Sequence, residues 1–210
     1  MKTKLICILT ASILGAASSP GQPGAPVPAA QITGVVAQYL MNPNGQLDGL
    51  LLSDNTEVKF PPHMSADLAR AVRPNDRVTA IGEREGPQTF HAFTIVNANG
   101  QTLNEARPSH TPPLPGARGA NLQPMSVSGR IKALLHAPHG EVDGAVLDNG
   151  AILRIAPDAG AQVSALLQPG AAISARGYGT ENEFGRALQA TEIGAAGAAP
   201  ISSATPAPRP

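Results

Sequence analysis

The stretch "GQLDGLLLSDN", residues Gly45–Asn55, has a near copy in "GEVDGAVLDNG", residues Gly140–Gly150, which begins 95 positions later. At this spacing, residues 32–82 align with residues 127–177 without a gap, and 12 of the 51 pairs are identical. An ungapped match of this length indicates a duplication, and its period is far longer than that of solenoid repeats. Each copy is therefore expected to fold into a domain with its own core.

Three predicted strands open each copy. The first alternates apolar and polar residues, most clearly over 127–135, which is typical of a half-buried strand. The second and third are expected at 47–53 and 57–60 in copy one, and at 142–147 and 152–155 in copy two. Asn55 and Gly150 share the position between these strands, and both residue types accept the positive φ of a tight hairpin. Gly34 and Gly129 lie where the first strand could bend.

A short helix and two further strands complete each copy. Ser65 is expected to cap the helix of copy one and Asp158 that of copy two. The apolar helix faces are predicted at Leu68 and Val72 in copy one, and at Val163, Leu166 and Leu167 in copy two. The last two strands are expected at 77–82 and 90–96, and at 172–177 and 187–193. The connection between them is about three residues longer in copy two.

The order of three strands, a helix and two strands is that of the OB-fold, a five-stranded Greek-key barrel. The predicted fold class is therefore all-β with one short helix per domain, arranged as two tandem OB-like barrels. A pair of SH3-like barrels is the alternative, although that fold offers no obvious place for a helix after the third strand.

Several short motifs mark the first copy, and the second copy has the same or similar residues at most of the equivalent positions. They are G-x-V, a turn containing Gly, "DG" followed by an apolar run, a proline before the helix, and P-x-D-x-V-x-x-x-G, which reads "PNDRVTAIG" over 74–82. This pattern resembles small exported bacterial OB-fold proteins of largely unassigned function. The resemblance covers each repeat but neither linker nor tail, and it implies an architecture rather than an activity.

The N-terminal sequence "MKTKLICILTASILGAASS" has the layout of a secretory signal peptide. Its apolar run, 5–14, is shorter than the roughly 20 residues of a permanent membrane span. Cleavage after Ala17 or Ser18 is therefore expected, with a retained anchor as the alternative, and the predicted location is periplasmic or secreted. Because Cys7 is the only cysteine, the mature chain would contain neither a disulfide nor a thiol.

The sequence predicts two domains between segments rich in proline and small residues. The expected divisions are a signal peptide at 1–18, a disordered linker at 19–30, OB-like domain 1 at 31–103, a Pro-rich linker at 104–124, OB-like domain 2 at 125–194 and a disordered tail at 195–210. The central linker is expected to let the two barrels move separately.

Asp48 and Asp143 are the first candidates for chemistry because both copies place them before a glycine. A calcium loop would require more oxygen donors at close spacing, and the chain does not provide them. We therefore interpret the motif as a bulge in the second strand, with the glycine in an unusual backbone conformation and the aspartate bonded to local amides. The positions expected to be structural are Gly34, Asp48, Gly49, Asn55, Gly129, Asp143, Gly144 and Gly150.

Enzymatic motifs are missing from the sequence. It contains no G-x-S-x-G and no phosphate-binding glycine loop. His136 and His139 have a spacing compatible with one metal ion, but no third ligand is evident nearby. The sequence thus predicts no catalytic residue, metal or cofactor, and a metal-dependent hydrolase stays an alternative.

Charge disfavours nucleic-acid binding, the other alternative. Each copy carries five basic and seven acidic side chains over 31–103 and 125–193, a net charge of −2, whereas OB-folds that bind single strands use a positive groove.

The predicted function is a monomeric, exported, non-catalytic binding or structural module of the cell envelope, whose partner is a protein, glycan or small ligand. The candidate binding residues lie in the loops that OB-folds use: Asn42, Asn44, Arg84, His136, His139, Tyr178, Phe184 and Arg186.

Overall fold

A computed structural model describes residues 29–107, 122–138, 140–156, 163–197 and the strand at 201–202. The first half contains β1 (Ala30–Met41), β2 (Leu47–Leu52), β3 (Glu57–Lys59), a 3₁₀ turn (Pro62–Met64), α1 (Ser65–Ala71), β4 (Arg77–Arg84), β5 (Thr89–Asn97) and β6 (Thr102–Asn104). The second half contains β7 (Gln123–His136), β8 (Val142–Leu147), β9 (Ile152–Arg154), β10 (Ala172–Asn182), β11 (Gly185–Ala195) and β12 (Ile201–Ser202). The predicted signal peptide, His139 and the predicted cap Asp158 lie outside the described residues.

The strand order of each half is that of an OB barrel. In the first half β1 pairs with both β2 and β4, β2 pairs with β3, and β4 pairs with β5, all antiparallel. A parallel pairing of β3 with β5 closes the barrel. Strands β7 to β11 repeat this arrangement, including the parallel closure of β9 on β11. The predicted tandem OB-like barrels are confirmed, and the SH3-like alternative is wrong.

The first strand of each barrel changes partner two residues after the predicted glycine. In β1, residues 30–35 pair with β4 and residues 36–41 pair with β2. A Cβ on Gly34 would lie 2.7 Å from a methyl carbon of Leu52, so a larger residue would crowd the barrel at this point. Gly129 precedes the same change of partner in β7.

The barrel closures confirm the length difference between the copies. Val58 of β3 pairs with Phe90, and its repeat equivalent Leu153 pairs with Leu188. The two paired residues are therefore three positions further apart along the sequence in the second barrel than in the first. The extra length lies between the third and fifth strands.

The "DG" motif forms the predicted bulge, but its glycine has a different role. Leu40 pairs with Gly49 and the next residue pairs with Leu47, so Asp48 is the additional residue of β2. Asp143 holds the same place in β8. The unusual backbone conformation predicted for the glycines is wrong, because neither has a positive φ. A Cβ on Gly49 would instead collide with the carbonyl oxygen of Val58 on the neighbouring strand.

Two further expectations differ from the structure. Ser65 is not the helix cap: the chain enters α1 through the 3₁₀ turn, and the Ser65 hydroxyl accepts a hydrogen bond from the backbone N–H of Leu47 at 2.8 Å. The tail is not disordered throughout, because β12 pairs with Glu192 and Ile193 of β11. Both β6 and β12 extend their sheets beyond the five barrel strands.

The hairpin between the second and third strands has the predicted positive φ, which is 65° at Asn55 and 82° at Gly150. Replacing Gly150 with alanine is expected to lower the free energy of unfolding by about 1 to 2 kcal/mol, because a Cβ disfavours this left-handed region. No described atom lies within 4 Å of the added Cβ, so the cost arises from the backbone alone. Urea denaturation measures it, and Asn55→Gly, at the equivalent position, should have little effect or stabilise the protein.

The two barrels pack against each other, in contrast to the separate movement expected from the central linker. Five side chains of the second barrel are buried in the same apolar cluster as the core of the first: Ala133, Leu135, Val146, Ile152 and Ala187. Their sequence neighbours Leu147 and Leu153 belong instead to the core of the second barrel. Because strand residues alternate between faces, Val146 and Ile152 point out of their own barrel and pack on the other one.

Within the described residues, no helix is long and apolar enough to cross a bilayer.

Candidate functional site

The contact between the barrels, which we call the seam, joins the same face of both. In the second barrel it uses β7, β8, β9 and β11. In the first barrel, Glu57 of β3 receives a hydrogen bond across the seam, and Leu51 is its cross-strand neighbour on β2. OB barrels usually bind ligands through the face of the second and third strands. Each barrel therefore covers the surface through which the other would ordinarily bind.

Arg154 lies between the two repeated aspartates. Its Nη2 donates to Oδ2 of Asp48 at 2.9 Å across the seam, and its Nη1 lies 3.6 Å from Oδ1 of Asp143 within its own barrel. The bulge places both carboxylates beside Arg154, and the backbone amide of Asp48 also bonds its own carboxylate, so the local bonding expected for these aspartates is joined by a cation from the second barrel. Burial raises the pKa of Asp48 even though Arg154 opposes the shift.

Glu57 is the most deeply buried charged residue of the seam, with 1% of its surface exposed. Its Oε1 accepts a hydrogen bond from the backbone N–H of His136 at 2.8 Å and lies 3.5 Å from Nδ1 of the same residue. Burial raises the pKa of Glu57 to about 7, although that N–H and the charges of Lys59 and Arg154 oppose the shift. Burial also lowers the pKa of the His136 imidazole. Glu57 therefore titrates near neutral pH.

A second group of charges extends from the seam along the first barrel. Lys59 occupies the repeat position of Arg154 and lies 3.4 Å from Oε2 of Glu85. His91 lies between two carboxylates, with Nδ1 3.5 Å from Glu85 and Nε2 3.6 Å from Glu105. Glu105 is held beyond β6, where its N–H donates to the carbonyl of Phe93 at 2.7 Å.

These charges surround a cavity of about 420 Å³, which we call the seam cavity. The second barrel contributes Asp143, Arg154 and Pro138 to its lining. The charged residues from the first barrel are Asp48, Glu57, Lys59, Glu85, His91 and Glu105. A cavity of this size is typical of small-molecule sites. Among the described residues, no group of three or more His, Cys, Asp or Glu side chains is arranged to hold a metal ion.

A hairpin of the second barrel makes a further contact with the first barrel. Phe184 packs edge-on against Tyr39 with ring centroids 5.6 Å apart, and Asn182 donates to the carbonyl of Gly45 at 2.9 Å. A cavity of about 460 Å³ lies beside this contact and includes Phe184 and Arg186. Arg186 is paired with Glu181, at 2.8 Å, in an exposed position.

The other predicted loop residues are not brought together. The side chain of Asn42 accepts hydrogen bonds from the backbone N–H groups of Asn44 and Gln46, so it shapes its own turn. Arg84 donates to a carbonyl of its own hairpin. Tyr178 lines a separate depression on the second barrel.

Sequence reasoning missed three groups that define the seam cavity: Glu57, Lys59 and Arg154. One signal was available, since Lys59 and Arg154 are basic at the same repeat position, opposite the repeated aspartates. Glu57 gave no such signal, because its equivalent in the second copy is Ile152.

Glu57 makes stability depend on pH. The pKa of Glu57 is about 7 in the folded protein, against the ordinary value of 4.5 that applies in the unfolded chain. The folded protein therefore binds more protons than the unfolded chain, and it loses stability as pH rises from about 4.5 to 7. That loss is about 3 kcal/mol and is complete above pH 7. We expect Glu57→Gln, which keeps the acceptor for His136, to gain this amount over the wild type between pH 4.5 and 8 in urea denaturation. A constant difference across that range would contradict the assignment.

The fold and the seam together define a protein of two tandem OB barrels packed through their usual binding faces. No protein-family model matches the sequence, and no curated protein matches it. Among solved structures, the wild-type single-stranded DNA-binding protein from Thermus aquaticus is similar at 12% identity and a TM-score of 0.26, over 84% of this chain and 97% of that one. A deletion mutant of the same protein matches at 11% identity and a TM-score of 0.25, over 80% and 95% of the respective chains. The fold assignment therefore rests on the strand order of the barrels.

Proposed function

We propose that the protein is an exported, non-catalytic binding module of the cell envelope whose ligand enters the seam cavity. One observation carries this proposal: the two barrels bury the faces that OB-folds ordinarily use, and the charged cavity left between them is lined by both barrels. Binding at the seam would explain why the chain needs two copies, because neither barrel alone forms the cavity.

The burial of these faces also bears on nucleic-acid binding. A single strand bound by an OB-fold follows a basic groove and stacks on aromatic side chains. Here the corresponding faces are in the seam, and the seam cavity contains more carboxylates than cations. Retention of the protein on a single-stranded DNA column at low salt would contradict the proposal.

Native mass spectrometry tests the binding function. The mature protein is incubated with a small-molecule extract of the envelope, desalted and weighed, and one retained ligand per chain is expected. His91→Trp, which fills the seam cavity, should abolish retention, whereas Thr191→Trp, which lies beside a separate depression, should not. Absence of any retained mass, or equal retention by both variants, would overturn the proposal.

Export is tested separately from binding. The N-terminal sequence supports it through its two lysines, short apolar run and small residues. Cell fractionation followed by mass measurement is expected to find a periplasmic or secreted protein that begins after Ala17 or Ser18. A full-length chain in the cytoplasm would contradict this part of the proposal.

A further inference from the structure

The seam cavity carries more negative than positive charge. Its described lining contains five carboxylates, two permanent cations and one imidazole: Asp48, Glu57, Glu85, Glu105 and Asp143, then Lys59 and Arg154, then His91. With the imidazole neutral, the formal charge of this lining is −3. Because charge removed from water is costly unless it is paired, the cavity favours a ligand that brings positive charge.

Glu57 is the most deeply buried carboxylate of this lining, and one of its oxygens has no partner in the described part of the chain. Its Oε1 is bound by the His136 N–H, but its Oε2 is buried and has no hydrogen-bond partner among the described residues. The two nearby cations are shared with other carboxylates, Lys59 with Glu85 and Arg154 with the aspartates. An ionised carboxylate only accepts hydrogen bonds, so a donor that enters from the cavity would satisfy the free oxygen of Glu57.

The remaining walls of the cavity are apolar, and they indicate the shape of that donor. They are formed by Leu40, Phe60, Pro61, Pro62 and Pro138. Since the described carboxylates and imidazoles are not arranged to hold a metal ion, the cation that fits is an organic one. An ammonium group with an aliphatic chain combines N–H donors and positive charge with a body that packs on apolar walls.

We propose that the seam cavity binds a small free alkyl ammonium or diammonium ion, whose N–H groups donate to Glu57 and Asp48 while its carbon chain lies against Leu40 and Phe60. This inference rests on the proposed function and names the class of ligand that the same cavity takes.

Isothermal titration calorimetry of the mature protein at low ionic strength and about pH 8 tests the inference with 1,4-diaminobutane. The diamine is expected to bind one to one, and 1,4-butanediol, of the same length but uncharged, is not. Glu57→Gln should weaken the diamine by about 10- to 100-fold, the usual effect of losing a charge-assisted hydrogen bond. Since the same variant is expected to be more stable at this pH, its loss of affinity would not arise from unfolding.

Glu181→Gln is the matched control, because Glu181 is an exposed carboxylate away from the seam cavity. Its affinity for the diamine should equal that of the wild type. The inference would be overturned if the diamine did not bind, or if both variants lost affinity equally. It would also be overturned if the cavity bound N-acetyl-lysine methylamide, which represents a lysine of a protein partner, but did not bind the diamine. If the diamine fails while envelope extract still yields a retained mass, only the ligand class is wrong; if both fail, the proposed function falls as well.

Discussion

Replacing Arg154 with methionine is expected to lower the free energy of unfolding by about 2 to 4 kcal/mol, which is somewhat less than the loss of one partner from a fully buried ion pair. The substitution keeps most of the side-chain volume but leaves Asp48 and Asp143 close together without the cation between them. The Arg154 side chain is only 14% exposed, so solvent cannot replace it fully. Urea denaturation at neutral pH measures the loss.

Arg186→Met is the control for this prediction. Arg186 also pairs with a carboxylate at 2.8 Å, but both side chains are at least 41% exposed, and exposed pairs contribute about 0 to 1 kcal/mol. Adding Asp48→Asn to Arg154→Met should recover part of the lost stability, because it removes one of the two unpaired charges. Equal effects of the two arginine substitutions would show that Arg154 is not a buried bridge.

Replacing Ile152 with glutamate is expected to open the seam while both barrels stay folded. Ile152 is 2% exposed and packs on the first barrel, where an unpaired carboxylate would cost several kcal/mol. Its repeat equivalent is Glu57, so the change would place acidic residues on both sides of the seam. We expect a larger radius of gyration by small-angle X-ray scattering and an unchanged β-sheet signal by circular dichroism.

Leu153→Ala is the matched control, since Leu153 is the next residue but belongs to the core of the second barrel. It should cost about 2 to 5 kcal/mol, as large-to-small core substitutions do, without expanding the folded protein. If both substitutions lower stability while neither changes the radius of gyration, Ile152 does not hold the barrels together.

The sequence predicts the barrels well because their determinants are local and occur twice. Alternating apolar residues mark the strands, and the aligned Asn55 and Gly150 mark one hairpin in both copies. The caps and short strands were harder to predict. The Ser65 hydroxyl bonds a backbone amide of β2, which is distant in sequence, instead of capping its helix. Strand β12 lies in a segment whose composition is that of a linker.

The seam could not be predicted from the strand pattern, because it depends on pairing between the copies. The aspartate motif indicates a bulge, but the partner of Asp48 is 106 residues away. A clue was present in the uninterrupted apolar runs 50–52 and 145–147, since such runs are typical of strands covered on both faces. A barrel that exposes its second strand would require polar residues at Leu51 and Val146.

Cutting the chain between the barrels tests the central claim, that they form one unit across the seam. A protease site is inserted in residues 108–121, the protein is cleaved, and the product is analysed by size-exclusion chromatography with light scattering. The two halves are expected to elute together at the mass of the uncut protein, and to separate when Ile152→Glu is also present. Separate elution of the halves without that substitution would contradict the claim.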